Sequence, residues 1–134
     1  MSLTQLSRSI DGLVAVITGA GSGMGAATAK LFADQGAKVA ALDLNEAGVA
    51  GVVQEITAAG KSAKAWQIDL ADGDAIVRVM TEIAEHFNGI DLLVNNAGIS
   101  MPAPIDRDGY EEAWGLSLAV LLTAQQRTIR AARP

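Results

Sequence analysis

The stretch ITGAGSGMGAATAKLF, residues 17–32, places four glycines between an apolar run and a segment of helix-forming residues. Glycine tolerates positive φ and has no Cβ, so a glycine-rich backbone can turn tightly and approach a bound group closely. The N–H groups at the start of the following helix attract phosphate, because the helix dipole lies behind them. The stretch therefore predicts a pyrophosphate-binding turn. A tight turn that only packs the helix on the strand has the same glycine pattern.

Short apolar segments rich in strand-forming residues surround this stretch. They span 13–18, 38–43, 62–69 and 91–95, and they recur about 25 residues apart, a usual size for one strand plus a crossover helix. The first, second and fourth are almost continuously apolar, which is typical of parallel strands covered on both faces. Right-handed crossovers then predict an α/β fold with a doubly wound parallel sheet, in the order 3-2-1-4, between two layers of helices.

The segments between the predicted strands carry helical periodicity. Residues 46–59 and 74–88 each have an apolar stripe at helical spacing, and Asn45 is a plausible N-cap for the first of them. A last helix is expected from about Tyr110 to Ala132. Its first half, AWGLSLAVLLTA, is apolar almost all round, so we expect it to be buried on more than one side.

Composition narrows the class of protein. A chain of 134 residues suits a single domain over 1–134, in which 1–10 is expected to be a surface arm. The net charge of −5 argues against a nucleic-acid partner. The absence of cysteine and the single histidine argue against disulfides, thiol nucleophiles and a metal site. No apolar run approaches bilayer length, so we expect a cytoplasmic protein without a membrane segment.

An acidic residue follows the second predicted strand. Asp43 ends that strand, where a carboxylate can accept hydrogen bonds from the ribose hydroxyls of an adenine dinucleotide. Its neighbours Leu44 and Asn45 are uncharged, and no arginine lies nearby to neutralise a 2′-phosphate. A carboxylate repels such a phosphate, so the sequence favours NAD over NADP. The alternative is that Asp43 only caps the next helix.

Three motifs now resemble those of the short-chain dehydrogenase/reductase family. Residues 18–25, TGAGSGMG, resemble the TGxxxGxG turn of that family, and NNAG at 95–98 resembles the motif that follows its fourth strand. Asp69 and Leu70 match the acidic position that meets the adenine in relatives. The motifs occur in the family order over nearly the whole chain. The resemblance implies a Rossmann-type fold, of which this chain carries the first four strands.

The resemblance also implies roles for individual residues. The glycines would shape the turn, backbone near Ser22 and Met24 would meet the pyrophosphate, and Asp69 would bind the adenine amino group. The residues after the fourth strand would line the coenzyme cleft and stabilise the sheet. The expected coenzyme-binding set is Gly19, Gly21, Ser22, Gly23, Met24, Gly25, Asp43, Leu44, Asp69, Leu70, Asn95, Ala97 and Gly98.

The catalytic residues of the family are not found in this sequence. Relatives use a tyrosine, a lysine four residues later, a serine and a helix asparagine, whereas Tyr110 is the only tyrosine here and is followed at that spacing by Trp114. Leu121 stands where the helix asparagine is expected, and it can neither donate nor accept a hydrogen bond. Ser117, one turn earlier, could offer a hydroxyl, although a helix serine usually bonds to its own backbone.

Three hypotheses follow from the sequence. The first is the coenzyme-binding portion of an NAD-dependent oxidoreductase that acts on a small alcohol or carbonyl compound, with the catalytic half absent and the chain by itself inactive. The second is a nucleotide-binding module without catalysis, and the third is an inert fragment. Because the apolar face of the last helix needs a partner, we also expect a homo-oligomer that associates through the 114–132 helix.

Overall fold

Strands and helices alternate in the computed structural model, which describes residues 8–134. The strands are β1 (Val14–Thr18), β2 (Lys38–Asp43), β3 (Ala63–Gln67) and β4 (Leu92–Val94). The helices are α1 (Gly23–Asp34), α2 (Glu46–Ala58), α3 (Gly73–Phe87), α4 (Tyr110–Leu118) and α5 (Ala124–Ala132). The elements expected from the sequence are present. Of the expected surface arm, residues 1–7 lie outside the described part of the chain, while Arg8 and Ser9 are exposed.

The four strands form one parallel sheet in the order β3-β2-β1-β4. In its register, Thr18 lies beside Leu42, and Ile17 lies beside Val94. The carboxyl ends of β1, β2 and β4 therefore meet at the same edge of the sheet, and the loops that follow them converge there. The α/β class and the strand order are both as predicted.

The sheet is covered by helices on both faces, which explains its apolar strands. Along β1, Val16 packs toward α3 and Ile17 packs toward α1 and α2. All five residues of β1 are buried. A strand with a core on each side has no polar face, so it reads as a continuous apolar run and not as an alternation.

The N-termini of α2 and α3 are closed by side chains. The Oδ1 atom of Asn45 accepts a hydrogen bond from the Gly48 N–H at 2.9 Å, as the sequence predicts. Asp72 caps α3 by accepting from the N–H groups of Asp74 and Ala75, at 3.0 and 3.1 Å. These bonds satisfy donors that a helix start leaves free.

The last helical region contains a short segment of π-helix between two α-helices. Between α4 and α5 lies a π-helical turn, Ala119–Thr123, a feature that often marks functional positions. The second cover expected for this region is not supplied within residues 8–134, where Trp114 is 54% exposed and Leu122 is 65% exposed. The physical reason is that β4 is an edge strand, and no described element lies beyond it.

None of the helices in the described part of the chain is both long enough and apolar enough to span a bilayer.

Candidate functional site

A cleft of about 620 Å³ opens at the carboxyl edge of the sheet. This size suits a small-molecule or coenzyme site. The cleft lies where the sheet order reverses direction between β1 and β4, the usual position of ligands in open α/β sheets. Its lining comes from the loops after all four strands and from the last helix: Gly19, Ser22, Gly23, Met24, Asp43, Leu44, Asn45, Ile68, Asp69, Leu70, Asn96, Ala97, Gly98, Ile99 and Val120.

The glycine turn forms one wall of the cleft. Gly19 and Gly23 have φ of +68° and +54°, a left-handed conformation that glycine adopts far more readily than other residues. A Cβ on Gly19 would lie 2.8 Å from the Cα of Ala97, so the turn and the loop after β4 touch through bare backbone. At Gly23 a Cβ would meet nothing within 4 Å, because this part of the turn faces open space.

The helix that starts in this turn has an open N-terminus. Ser22 occupies the N-cap position of α1 but its side chain caps no N–H group, and the first turn holds no acidic residue. This differs from α2 and α3, whose caps satisfy their first donors. Donors at the start of α1 therefore face the cleft with the positive end of the helix dipole behind them, an arrangement that suits a phosphate.

Asp43 is half-buried at the cleft wall and is held by backbone on both carboxylate oxygens. Its Oδ2 accepts from the Gly21 N–H at 2.8 Å, and its Oδ1 accepts from the Asn45 N–H at 2.9 Å. The alternative that Asp43 is the helix cap does not describe the geometry, because Asn45 performs that role for α2. The carboxylate instead connects the glycine turn to the end of β2.

Two further residues tie the glycine turn to the loop after β4. The buried Oγ1 of Thr18 accepts from the N–H groups of Asn96 and Ala97, each at 3.0 Å. The Nδ2 of Asn96 donates to the carbonyl of Thr18 at 3.0 Å. We call this pair the Thr18–Asn96 clasp. It holds the glycine turn and the loop after β4 together.

Replacing Thr18 with valine is expected to lower the free energy of unfolding by about 2 kcal/mol. The reason is that the N–H groups of Asn96 and Ala97, which are partly buried, lose the hydroxyl oxygen to which both donate. Chemical denaturation measures this loss. Thr18→Ser keeps the hydroxyl and is the matched control, expected to lose clearly less. A Thr18→Val variant as stable as the unmodified chain would show that the two N–H groups do not depend on this hydroxyl.

The far end of the cleft is formed by the loop after β3. Asp69 is exposed, and its Oδ1 accepts from the Ala71 N–H at 2.9 Å. Ile68 is buried and its N–H donates to the Asp43 carbonyl at 3.0 Å, which attaches this loop to the end of β2. Asp69 and Asp43 thus lie along one wall, so a ligand that spans the cleft passes both carboxylates.

Three residues of the expected coenzyme set do not line the cleft. Gly21 lies behind Asp43, and Gly25 is buried under the turn, where a Cβ would lie 2.0 Å from the Gly19 carbonyl oxygen. Asn95 bonds in another direction, since its Oδ1 accepts from the buried Thr128 hydroxyl of α5 at 2.7 Å. These residues support the walls without forming them.

Other lining residues were not expected from the sequence. The additional lining residues are Asn45, Ile68, Asn96, Ile99 and Val120, and all but Val120 are direct chain neighbours of residues predicted to line the cleft. The NNAG motif offers two asparagines, and the sequence does not show which of them projects toward the turn. Val120 belongs to the last helix, whose approach to the cleft depends on tertiary packing.

The position expected to hold the helix asparagine lies beside the cleft. Leu121 is 44% exposed, and its Cδ2 approaches the Cα side of Gly98, where a Cβ would lie 3.3 Å from it. Ser117 donates to the Ala113 carbonyl at 2.7 Å, so its hydroxyl bonds within the helix as helix serines usually do. Leu121 therefore presents an apolar side chain next to Gly98, a residue of the cleft wall. Within residues 8–134, no cluster of three metal-ligating side chains occurs.

Comparison with known proteins agrees with this geometry. The model of the short chain dehydrogenase family matches residues 13–134. The chain belongs to the short-chain dehydrogenase family. A curated relative, the 2,5-dichloro-2,5-cyclohexadiene-1,4-diol dehydrogenase of Sphingobium indicum, is 41% identical over 129 residues. The D-threitol dehydrogenase of Mycolicibacterium smegmatis is 35% identical over 114 residues.

Solved structures of short-chain dehydrogenases share the fold. A short-chain dehydrogenase from Burkholderia cenocepacia J2315 in complex with NADP is 37% identical, with a TM-score of 0.87 over 93% of this chain and 51% of its own. A metagenomic short-chain oxidoreductase in complex with NADP is 36% identical, with a TM-score of 0.85 over 92% of this chain and 56% of its own. Among the curated relatives, the match takes in 96% of this chain and 51% of the diol dehydrogenase, and 85% of this chain and 44% of the threitol dehydrogenase. The chain thus spans about half the length of these family members.

Proposed function

We propose that this chain binds NAD and forms the coenzyme-binding part of an oxidoreductase that transfers hydride between the nicotinamide and an alcohol or carbonyl substrate. The observation that carries the proposal is the Asp43 carboxylate, which stands in the cleft wall with both oxygens fixed by backbone N–H groups. A dinucleotide with free ribose hydroxyls is the ligand that this acceptor and the adjacent glycine turn suit together.

Different parts of the cleft wall suit different parts of the coenzyme. The bare backbone of Gly19 and Gly23 and the open N-terminus of α1 suit the pyrophosphate. Asp43 suits the adenosine ribose, and Asp69, further along the same wall, suits the adenine amino group as an acceptor. Leu44 and Leu70 add apolar surface at this end. Ala97 and Gly98 line another part of the cleft, where Gly98 faces Leu121 of the π-helical turn.

The preference for NAD over NADP follows from charge and from hydrogen-bonding capacity. A carboxylate offers roughly four lone-pair positions, and the N–H groups of Gly21 and Asn45 occupy two of them. The others suit the 2′- and 3′-hydroxyls of a ribose. A 2′-phosphate would instead place negative charge against the carboxylate, and no lysine or arginine is among the cleft-lining residues of the described chain.

The residues of this chain position the coenzyme and do not supply a proton relay. When bound, NAD supplies the hydride acceptor, and its reduced form supplies the donor. The sequence contains no Tyr-x-x-x-Lys, and the apolar Leu121 stands where the family asparagine is expected. We therefore propose that the chain binds the coenzyme without turnover by itself, the catalytic half lying outside it. Leu121 would exclude a relay through that side chain.

A second candidate function is a nucleotide-binding module without catalysis. Leu121 is the observation that favours it, because this apolar side chain stands beside Gly98 of the cleft wall, where family members carry an asparagine. In this alternative the coenzyme would serve as a bound structural or regulatory ligand.

Calorimetric titration of the chain with NAD and NADP, followed by hydride-transfer assays, tests the proposal. We expect NAD to bind at least about tenfold more tightly than NADP, a difference of roughly 1.4 kcal/mol. A preference for NADP would contradict the coenzyme assignment, and no binding of either would support an inert fragment. The assays use a protein that joins this chain to a family catalytic half. Binding of NAD there, without reduction of NAD by alcohols and without oxidation of NADH by carbonyl compounds, would favour the second candidate.

We also propose that copies of the chain associate through the 114–132 helix. Trp114, Leu122 and Ile129 are each more than half exposed on it, an apolar surface that association would remove from water. Sedimentation equilibrium is expected to show an oligomer, and Leu122→Glu is expected to shift it toward monomer. A monomer at all concentrations of the unmodified chain would contradict this proposal. The cytoplasmic location stays a prediction from the sequence.

A further inference from the structure

A glycine that does not line the cleft stands in contact with the side chain that selects the coenzyme. A Cβ built on Gly21 would lie 2.9 Å from both the Cγ and the Oδ2 of Asp43. Side-chain carbons do not approach carboxylate atoms this closely, so one of the two groups would have to move. The absence of a side chain at Gly21 is thus a geometric condition for the observed position of the carboxylate.

The backbone at this position does not itself require glycine. Gly19 and Gly23 have positive φ, whereas the φ of Gly21 lies outside the left-handed region. The φ of Gly21 therefore does not exclude alanine. The contact with Asp43 is the reason for glycine here, which separates Gly21 from the neighbouring glycines of the turn.

The position of the carboxylate matters because it is fixed at two points. The Gly21 N–H holds Oδ2 at 2.8 Å, and the Asn45 N–H holds Oδ1 at 2.9 Å. Charge-assisted bonds of this kind orient a carboxylate before a ligand arrives. A rotation forced by a new Cβ would break one or both bonds, and the lone pairs that face the cleft would turn away from the ribose.

We propose that Gly21 is a positioning residue for coenzyme selection, which allows its N–H to fix the Asp43 carboxylate toward the ribose diol of NAD. The inference rests on the proposed NAD function and extends it to a residue outside the cleft lining. It assigns the selectivity to the pair Gly21–Asp43 and not to Asp43 alone. Asn45 completes the pair from the other side through its N–H group.

The first test measures coenzyme binding in Gly21→Ala. We expect the Kd of NAD to rise about tenfold, the equivalent of one charge-assisted hydrogen bond, while the Kd of NADP changes less. In the Asp43→Ala background, the same Gly21→Ala substitution is expected to change the Kd of NAD less than about twofold, since the oxygens that it displaces are gone. Gly51→Ala is the matched control, because a Cβ there would meet nothing within 4 Å and Gly51 has no positive φ.

A second test needs no coenzyme. Amide hydrogen exchange in the free chain reports on the bond between the Asn45 N–H and the Asp43 Oδ1. Exchange at Asn45 is expected to become faster in Gly21→Ala and to stay unchanged in Gly51→Ala. Thermal unfolding of each variant shows that the fold is retained during both tests.

The outcomes separate this inference from the proposed function. If the unmodified chain prefers NAD but Gly21→Ala leaves both the NAD-to-NADP ratio and the Asn45 exchange rate unchanged, the role of Gly21 is overturned and the function stands. The role is also overturned if Gly21→Ala weakens NAD equally with and without the Asp43 carboxylate. If the unmodified chain binds no NAD, the proposed function fails together with this inference, even where the exchange rate at Asn45 responds.

Discussion

Replacing Gly25 with alanine is expected to lower the free energy of unfolding by about 3 kcal/mol, at the upper end of the usual range for overpacking. A Cβ on Gly25 would lie 2.0 Å from the carbonyl oxygen of Gly19 and 2.6 Å from the Nδ2 of Asn96. The first of these atoms belongs to the backbone of the turn. It cannot rotate away as a flexible side chain could, so α1 must move relative to β1.

The movement would also disturb the cleft. The Nδ2 of Asn96 belongs to the Thr18–Asn96 clasp, which holds the loop after β4 against the glycine turn. Chemical denaturation followed by circular dichroism measures the loss of stability, and calorimetry is expected to show that NAD binding is lost or strongly weakened. Both effects are expected from one added methyl group.

The matched control for this prediction is Gly51→Ala in α2. Gly51 is also a helical glycine, but a Cβ there would meet nothing within 4 Å, so alanine is expected to stabilise the chain by up to about 1 kcal/mol through helix propensity. Opposite signs at Gly25 and Gly51 would show that contact, and not helix composition, decides the result. A Gly25→Ala variant as stable as the unmodified chain would mean that α1 and β1 are not packed as closely as described.

The architecture of the chain was predictable because its signals are local. Continuous apolar runs indicated buried parallel strands, and helical stripes indicated the crossovers. The handedness rule then left few possible strand orders. Asn45 was predictable as a cap because an N-cap acts within its own helix turn.

The cleft was only partly predictable because its contacts connect distant positions. Asn96 bonds to Thr18, 78 positions earlier in the chain, and the sequence does not show which asparagine of NNAG turns toward the glycines. That direction depends on backbone torsions after β4, and Asn95 bonds to Thr128 instead. Local patterns located the loops, but not the side chains that join them.

The environment of the last helix was predictable only in part. An apolar circumference indicates burial only when elements exist on every side. Here α5 packs on the face of the sheet that carries α3, while Trp114 and Leu122 face outward. The sequence defines the surface that needs covering, whereas the neighbours of β4 decide whether it is covered.

Removing the Asp43 carboxylate is expected to have the largest effect on coenzyme affinity and selectivity. We expect Asp43→Ala to raise the Kd of NAD roughly 50-fold, a loss of about 2.3 kcal/mol, since hydrogen bonds to a charged acceptor are among the stronger ones. NADP is expected to bind as well as before or more tightly, because the repulsion of its 2′-phosphate disappears. Parallel titrations with NAD and NADP give both constants.

Asp43→Asn separates the charge of this side chain from its shape. The amide keeps one oxygen that can accept from a backbone N–H, but its nitrogen cannot accept from the Gly21 or Asn45 N–H group. We expect it to weaken NAD less than alanine does and to relieve the repulsion of NADP as fully, since both substitutions remove the charge. If instead Asp43→Ala leaves the ratio of the two dissociation constants unchanged, while unfolding shows an intact fold, the carboxylate does not select the coenzyme.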